Sequence, residues 1–401
     1  MNRRLNPQND NFKYPKAGEA NSVVRIFVYD VKKGNNKEIE TGYQNDQYLP
    51  RMGWTAENDK MYFIKLNRLQ NKMELHVADA NTGKTTIIYS EENKYYVDIN
   101  DNITWLPNKK ELIFSSEKSG YHHIYIMNTD GKNERALTRG NFDIDQFLGY
   151  DSKNNLIYFT SAEEGPIARH LYSVDLKGKK TKISKADGWN SVYFNSTFTY
   201  FMNSRSTANE PPVYTLHDAK GNLIKELENN SALKTKMRDY NFGRFEFSTI
   251  NTASGNRLNY WMLRPNNFDP KKKYPVLMYV YGGPGSQTVM DRWGGANSIW
   301  YQMLAQQGYI IISVDNRGTG FRGEEFKKMT YLQLGKIETQ DQIDAAKWFA
   351  KLEYVDANRI GIWGWSYGGY MSSLCLAKGN DIFKMAIAVA PVTNWRYYDN
   401  I

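Results

Sequence analysis

Cysteine is almost missing from this sequence: Cys375 is the only one in 401 residues. No intrachain disulfide can therefore hold the fold, and cysteine usage leaves the redox compartment open. Long apolar runs are missing as well. A bilayer-spanning helix needs about 18 consecutive apolar residues, and no such run occurs, so no membrane span is expected. The opening MNRRLNPQNDNFKYPKAGEANS carries two arginines with no apolar stretch behind them and does not read as a secretory signal. The net charge is +9, but clustering of the positive residues is lacking. KGKKTK (177–182) and KKK (271–273) are flanked by turn residues and read as solvated loops. Without a clustered basic face or a recognition motif, a nucleic-acid partner is excluded.

Histidine is scarce, with five residues: His76, His122, His123, His170 and His217. The adjacent pair suggests a metal site, but neighbouring strand residues point to opposite faces and cannot converge on one ion. No cysteine or second histidine stands at ligand spacing, so no metal is expected.

What is present is length and aromatic content. A chain this long exceeds one ordinary domain, and 41% hydrophobic with 24% charged residues fits a soluble, globular, two-domain protein. Tyrosine, at 29 residues, is unusually abundant, and aromatic side chains favour the half-buried surface of strands.

The front half repeats. A turn recurs as YDVKKGN, ADANTGK, MNTDGKN, VDLKGKK and HDAKGNL, with Gly34, Gly83, Gly131, Gly178 and Gly221 spaced 49, 48, 47 and 43 residues apart. Alternating segments such as HIYIMN (123–128) and TTIIY (85–89) flank these turns, as in β-hairpins. A second element recurs in step: WTAENDKMYF (54–63), WLPNKKELIF (105–114) and YDSKNNLIYF (150–159). Two hairpins in each period of ~45 residues make a four-stranded blade, which predicts a partial β-propeller of roughly five blades over residues 1–235.

After NNSALKTKMRD (229–239) the pattern changes. YPVLMYVYGG (274–283), YIIISVDNRG (309–318), RIGIWGWS (359–366) and FKMAIAVAP (383–391) are near-continuous apolar runs, as expected of strands covered on both faces. Helical stretches lie between them. In ETQDQIDAAKWFAKL (338–352), Thr339 and Gln342 have capping-box spacing, and Ile343, Ala346 and Ala350 share one side. Alternating strands and helices predict a mostly parallel sheet, the N-terminal part of an α/β-hydrolase domain over residues 236–401.

Ser366 sits where such a sheet would expose it. GWSYG (364–368) fits G-x-S-x-G, follows an apolar strand and precedes the helix-compatible YMSSLCLAK (370–378), the order of a nucleophile elbow. The plainer reading, a glycine-rich turn with an incidental serine, fits that order poorly. YVYGGPGSQ (279–287) ends an earlier strand where this fold builds the other wall of its oxyanion hole, with the Tyr367 N–H as one donor and the Tyr281 hydroxyl as a candidate second. Alone, Tyr281 reads as a packed aromatic at a strand end, and WRYY (395–398) as a surface loop.

Together, GWSYGG (364–369), VYGGPGSQ (280–287), DNRGTG (315–320) and AVAPVTNWRYYD (388–399), with KYPKAGEAN (13–21), resemble the dipeptidyl peptidase IV group of the prolyl oligopeptidase family of serine peptidases. The resemblance covers nearly the whole chain. Trp365 and Tyr367 separate it from prolyl oligopeptidases proper, whose elbow differs on both sides of the serine. It implies a propeller followed by a hydrolase domain and removal of N-terminal X-Pro or X-Ala dipeptides through a Ser366 acyl-enzyme. Carried over by the resemblance, Tyr281 and the Tyr367 backbone would take the oxyanion role, and Val392, Trp395 and Tyr398, with the Tyr367 ring, would line the pocket for the penultimate proline. It implies no cofactor, peptide substrates with penultimate Pro or Ala, a homodimeric full-length protein, and a periplasmic or extracellular location. The alternatives within reach are an acylaminoacyl-peptidase or oligopeptidase of the same family, or a non-catalytic propeller binding protein.

A serine hydroxyl needs a base, and in this fold the partners follow in the order Ser, Asp/Glu, His. No histidine lies after Ser366, and only 35 residues follow it. Asp381 falls in a helix-to-strand loop and Asp399 in the pocket loop, so neither reads as a triad member. The resemblance further implies about eight blades and an upstream pair of glutamates for the substrate amine. The expectation is a fragment lacking both ends of a longer protein, and inactive alone.

Overall fold

The computed structural model describes residues 9, 11, 16–42, 46–99 and 101–398. The front half begins with a hairpin of β1 (Phe27–Asp30) and β2 (Asn35–Glu38). Four four-stranded antiparallel sheets follow among the described residues. The first holds β3 (Gln47–Trp54), β4 (Lys60–Asn67), β5 (Lys72–Asp79) and β6 (Thr85–Glu92). The second holds β7 (Thr104–Trp105), β8 (Glu111–Ser116), β9 (His123–Asn128) and β10 (Arg135–Ala136). The third holds β11 (Ile144–Asp151), β12 (Leu156–Ser161), β13 (His170–Asp175) and β14 (Lys180–Lys182). The fourth holds β15 (Trp189–Phe194), β16 (Tyr200–Thr207), β17 (Glu210–Asp218) and β18 (Leu223–Glu228).

Local chemistry sets each hairpin. Asp79 accepts from the N–H groups of Asn81 and Thr82, and Gly83 completes the turn at φ 80°, a conformation that a side chain opposes. The five recurring glycine turns are all the last hairpin of a sheet, and the second recurring element is the first hairpin, an order that the sequence reading left open. The N-terminal turn belongs to the two-stranded hairpin, so the described residues hold four complete blades and half of a fifth. One reading is corrected: Lys180–Lys182 of the basic run is not loop but the short outer strand β14, and Lys180 and Lys182 pair with Glu163 and Glu164.

Each sheet packs face to face with the next. Leu112 and Phe114 of β8 meet Ile64, Leu66 and Leu75 of the first sheet, while Ile113 between them faces Ile157 and Phe159 of the third. Tyr158 and Leu171 of the third sheet in turn meet Val192 and Phe201 of the fourth. Period-two alternation on a strand buried on both sides gives one residue to each neighbour, which produces the radial arrangement of a propeller.

Helix α1 (Ser231–Asp239), not foreseen in the sequence, leads to a six-stranded sheet. Its members are β19 (Phe245–Asn251), β20 (Arg257–Leu263), β21 (Tyr274–Tyr279), β22 (Ile310–Val314), β23 (Val355–Trp365) and β24 (Phe383–Val389), in the order β19-β20-β22-β21-β23-β24. The last four are mutually parallel, and β19 and β20 form an antiparallel hairpin at one edge. The crossover helices are α2 (Gly295–Gln306), the short α3 (Glu324–Lys328), α4 (Ile337–Phe349) and α5 (Tyr367–Lys378). Tyr301 and Ala305 of α2 pack with Leu277 and Ile311 on one face. Ile343 and Ala346 of α4 and Met371 of α5 pack with Val276, Met278 and Ile362 on the other. The chain thus leaves β21 toward one face and β23 toward the opposite face, and a crevice opens between their carboxyl ends. The architecture is a partial β-propeller followed by a mostly parallel, partial α/β-hydrolase sheet.

The capping-box expectation fails. The residue before α4 is Lys336 with no side-chain cap, and Thr339 lies inside the first turn, buried.

The halves are joined by polar contacts. Lys327 pairs with Asp98 and Glu117, the Lys328 ammonium lies 3.1 Å from Glu117 and donates to the Tyr96 carbonyl, and the Gly323 N–H donates to Asp143 at 3.0 Å. No helix is long and apolar enough to cross a membrane among the described residues.

Candidate active site

The run Ile360–Ile362 anchors β23 in the core, and the strand ends at Trp365. Ser366 then takes φ 57° and ψ −114°, and α5 begins at the next residue. A non-glycine residue held at positive φ costs on the order of 1–3 kcal/mol and persists only where its surroundings enforce it. The enforcement is visible. The Ser366 N–H donates to the Val389 carbonyl at 2.9 Å, and the Tyr370 N–H donates back to the Ser366 carbonyl at 3.1 Å. A Cβ on Gly364 or Gly368 would overlap the Val280 carbonyl oxygen, and one on Gly369 would lie 2.8 Å from that of Val389. Only glycine admits the close approach of β21, β24 and α5 that makes the bend. Ser366 is half-buried, not sealed in the interior, and its side chain makes no capping bond to the helix it precedes.

The crevice brings the second wall alongside. A Cβ on Gly368 would stand 3.1 Å from the Tyr281 Cα, and one on Gly283 would stand 3.0 Å from the Tyr281 ring and 3.1 Å from that of Tyr367. The Tyr281 and Tyr367 ring centroids are 6.0 Å apart. Tyr367 is the first residue of α5, so its N–H has no intrahelical acceptor and lies at the positive end of the helix dipole. Such a donor suits an oxygen on which negative charge develops.

After β24 the chain returns over α5. A 3₁₀ turn over Trp395–Tyr397 is capped by Asn394, which accepts from the Arg396 N–H at 2.9 Å. It places the Trp395 ring 5.4 Å from Tyr367, 5.4 Å from Tyr370 and 5.3 Å from Tyr398. Val392 is half-buried in the same segment. Tyr367, Trp395 and Tyr398, singled out in the sequence, therefore form one aromatic corner. Asp399 lies outside the described residues, as do the first residues of KYPKAGEAN.

Four residues that the sequence reading did not assign to the site support it from beneath. The buried Glu338 accepts from the Tyr367 hydroxyl at 2.6 Å and the Gly335 N–H at 3.0 Å. Burial raises the pKa of both the Glu338 carboxyl and the Tyr367 phenol. Asn316 donates to the Gly282 carbonyl at 3.0 Å, and Gln342 donates to Asn316 Oδ1 at 3.0 Å. Asp315, fully buried, accepts from the Thr288 and Val289 N–H groups at 2.8 and 3.1 Å, and burial lifts its pKa to about 6. The motif DNRGTG was the one available signal for Asp315 and Asn316. Glu338 carries no motif, and the capping-box spacing that includes Gln342 points to a helix start and not to this site. Cys375 lies behind the site, its thiol pKa pushed up by burial.

No histidine ring bonds to Ser366. His122 bonds to the Ile144 carbonyl and Ser115, His123 to Thr138 and the Gly140 carbonyl, and the divergence matches the opposed faces read from sequence. His76 bonds to Glu74, His170 to Ser184, and His217 to Thr215 and the Gly221 carbonyl, all within their own sheets. Asp381 pairs with Lys347 at 2.8 Å on the surface, away from the elbow. Among the described residues no cluster of three or more His, Cys, Asp or Glu could hold a metal ion. A cavity of about 480 Å³ lies between the halves, lined by Asp98, Glu117 and Asp143 on the propeller side and Pro284, Gly285 and Phe321 on the other.

Comparison with known proteins gives this geometry its relatives. Residues 1–212 match the family model for the dipeptidyl peptidase IV N-terminal region, and residues 297–401 match that of the prolyl oligopeptidase family. The crystal structure of Porphyromonas gingivalis dipeptidyl peptidase 4 superposes with a TM-score of 0.93 at 41% identity, covering 100% of this chain and 57% of that one. Dipeptidyl peptidase 4 of Trichophyton equinum is 31% identical over 98% of this chain and 52% of its own length. A protein of Arthroderma benhamiae named "Probable dipeptidyl-aminopeptidase B" is 34% identical over 98% of this chain and 45% of its own. The chain thus spans about half the length of the curated relatives it matches. With one family model matching more than half of its residues, the chain belongs to the dipeptidyl peptidase IV group of the prolyl oligopeptidase family.

Proposed function

We propose that these residues form the nucleophile-bearing part of a serine exopeptidase that releases N-terminal dipeptides with proline or alanine in second place. The observation that carries the reading is the strained backbone of Ser366 beside an unpaired helix N-terminus and an aromatic corner. Ser366 Oγ attacks the carbonyl carbon of the second residue, its proton passing to a base, and the carbonyl oxygen takes up the negative charge. The Tyr367 N–H and the Tyr281 hydroxyl donate to that oxygen. Collapse expels the remaining peptide as an amine, which takes the proton, and leaves the dipeptide esterified to Ser366. Water, deprotonated by the same base, then releases it. A pyrrolidine ring is flat and rigid, and the faces of Tyr367, Trp395 and Tyr398, with Val392, suit it. The division of the chain near residue 235 belongs to the same reading.

The base is not among the five histidines, each of which is bonded inside the propeller. The 401-residue chain by itself should therefore turn over on the order of 10⁶-fold more slowly than a complete peptidase. The test is release of p-nitroaniline from Gly-Pro-p-nitroanilide by the gene product that carries these residues. Turnover is expected, with Ser366→Ala reducing it about 10⁶-fold. Equal turnover by the two proteins overturns the reading.

A further inference from the structure

We propose that Glu338 is a positioning residue for the Ser366 site, pinning the Tyr367 ring from behind while Gln342, one turn further along α4, steadies the opposite wall. This rests on the function proposed above. The first two turns of α4 are polar yet sealed: Glu338, Thr339, Asp341 and Gln342 are each 0–1% exposed. Burying such groups is unfavourable unless each is bonded; the Thr339 hydroxyl has no partner among the described residues, and the bonds of the other three lead to the site. Glu338 receives the Tyr367 hydroxyl at 2.6 Å. Gln342 donates to Asn316 Oδ1 at 3.0 Å and to the Val314 carbonyl at 2.9 Å, and Asn316 donates to the carbonyl of Gly282, the residue after Tyr281. Asp341 receives the N–H and the guanidinium of Arg317. Residues four apart share one helix face, so one rigid element grips the start of α5 and the end of the β21 segment together.

Packing alone does not account for this arrangement. If the Tyr367 ring only filled space, phenylalanine would serve and no carboxyl would need burying. The second oxygen of Glu338 has no hydrogen-bond partner among the described residues, a cost that stability does not repay. What the bond supplies is fixation of the far end of a ring whose centroid lies 5.4 Å from that of Trp395 and whose residue carries the N–H assigned above to the oxyanion. Displacing such a group by about 1 Å is enough to lose on the order of 10² in rate.

The test is steady-state kinetics of the gene product on Gly-Pro-p-nitroanilide and Gly-Ala-p-nitroanilide, with folded fraction measured by denaturant titration. Glu338→Gln keeps an acceptor oxygen and is expected to stay within about threefold of wild type, whereas Glu338→Ala and Tyr367→Phe each lose roughly 10–100-fold in kcat/KM on the proline substrate. Both losses should be smaller on the alanine substrate, which needs the ring less. Glu338→Ala/Tyr367→Phe should lose no more than either single change, because the two share one bond. Wild-type rates in Glu338→Ala, equal losses on both substrates, or losses that multiply in the double variant overturn the proposal. If Glu338→Ala does not fold, Tyr367→Phe decides, since unchanged selectivity in that variant is equally fatal. Silence of the wild-type protein on both substrates would be a failure of the functional reading instead. The positioning claim is then read on the 401-residue chain from Trp395 emission, taken as the difference from Trp395→Phe. That emission should change in Glu338→Ala and Tyr367→Phe but not in Glu338→Gln, and an unchanged spectrum overturns the claim.

Discussion

The backbone of Gly368 lies directly against the carbonyl of Val280, so closely that a single added methyl would overlap the oxygen. This contact joins the first turn of α5 to the end of β21 and so fixes the distance between Ser366 and Tyr281. Gly368→Ala is expected to push the two apart, lowering stability by about 2 kcal/mol or more. Denaturant titration measures this. A variant with an unchanged midpoint would show that the two segments can separate freely.

Strain at Ser366 gives a prediction of opposite sign. Glycine adopts φ 57° without steric conflict. Ser366→Gly should therefore raise stability by about 1 kcal/mol, the lower end of the strain range for such a residue, while removing the hydroxyl. The urea midpoint should rise with an unchanged slope. A lower midpoint would mean that the bend imposes no strain on the serine.

Asp315 predicts a pH dependence. Its carboxyl titrates near 3.8 when unfolded and, because burial disfavours the charge, at about 6 in the fold. The folded state holds the proton more tightly, so the stabilisation is complete below pH 3.8 and is lost as pH rises through about 6. The loss amounts to about 3 kcal/mol at 1.36 kcal/mol per pKa unit. Comparing wild type with Asp315→Asn, which cannot titrate, isolates it from the other carboxylates. The stability difference between the two proteins should shift across that window, and a flat difference would refute the assignment.

Arg169 should be the most sensitive position between the halves. Its guanidinium is fully buried between the Trp189 ring at 4.3 Å and the Phe321 ring at 3.6 Å, donates to Gln287 at 2.8 Å and lies 3.4 Å from Asp145. Arg169→Ala leaves Asp145 without this cation, and removing one member of a buried pair costs about 3–5 kcal/mol. Arg169→Lys should recover little, because an ammonium neither stacks on both rings nor reaches Gln287 and the Pro166 and Ala168 carbonyls at once. Calorimetry is expected to show the two halves unfolding in separate transitions in the alanine variant. A single undisturbed transition would place the coupling elsewhere.

The blades and the elbow were legible because each depends on residues close together in sequence. A hairpin turn needs glycine or aspartate at a fixed offset, and alternation shows in any six residues, so the interval of about 45 residues located the blades. The elbow likewise lies within Gly364–Gly369. The capping-box reading of Thr339 and Gln342 failed for the converse reason: the same spacing serves a helix whose polar face is buried against other elements, and spacing does not distinguish the two.

The sequence by itself determined the repeating hairpins, the parallel apolar strands and the bend at Ser366, because backbone conformation and hydrophobic period are local properties. Only the tertiary structure decided that Glu338 meets Tyr367, that Asn316 and Gln342 hold Gly282, that Arg169 is clamped between Trp189 and Phe321, and that no imidazole of the propeller reaches the serine. Those contacts join residues tens to hundreds of positions apart, and a buried polar side chain takes its role from whichever partner the packed chain brings within hydrogen-bonding distance.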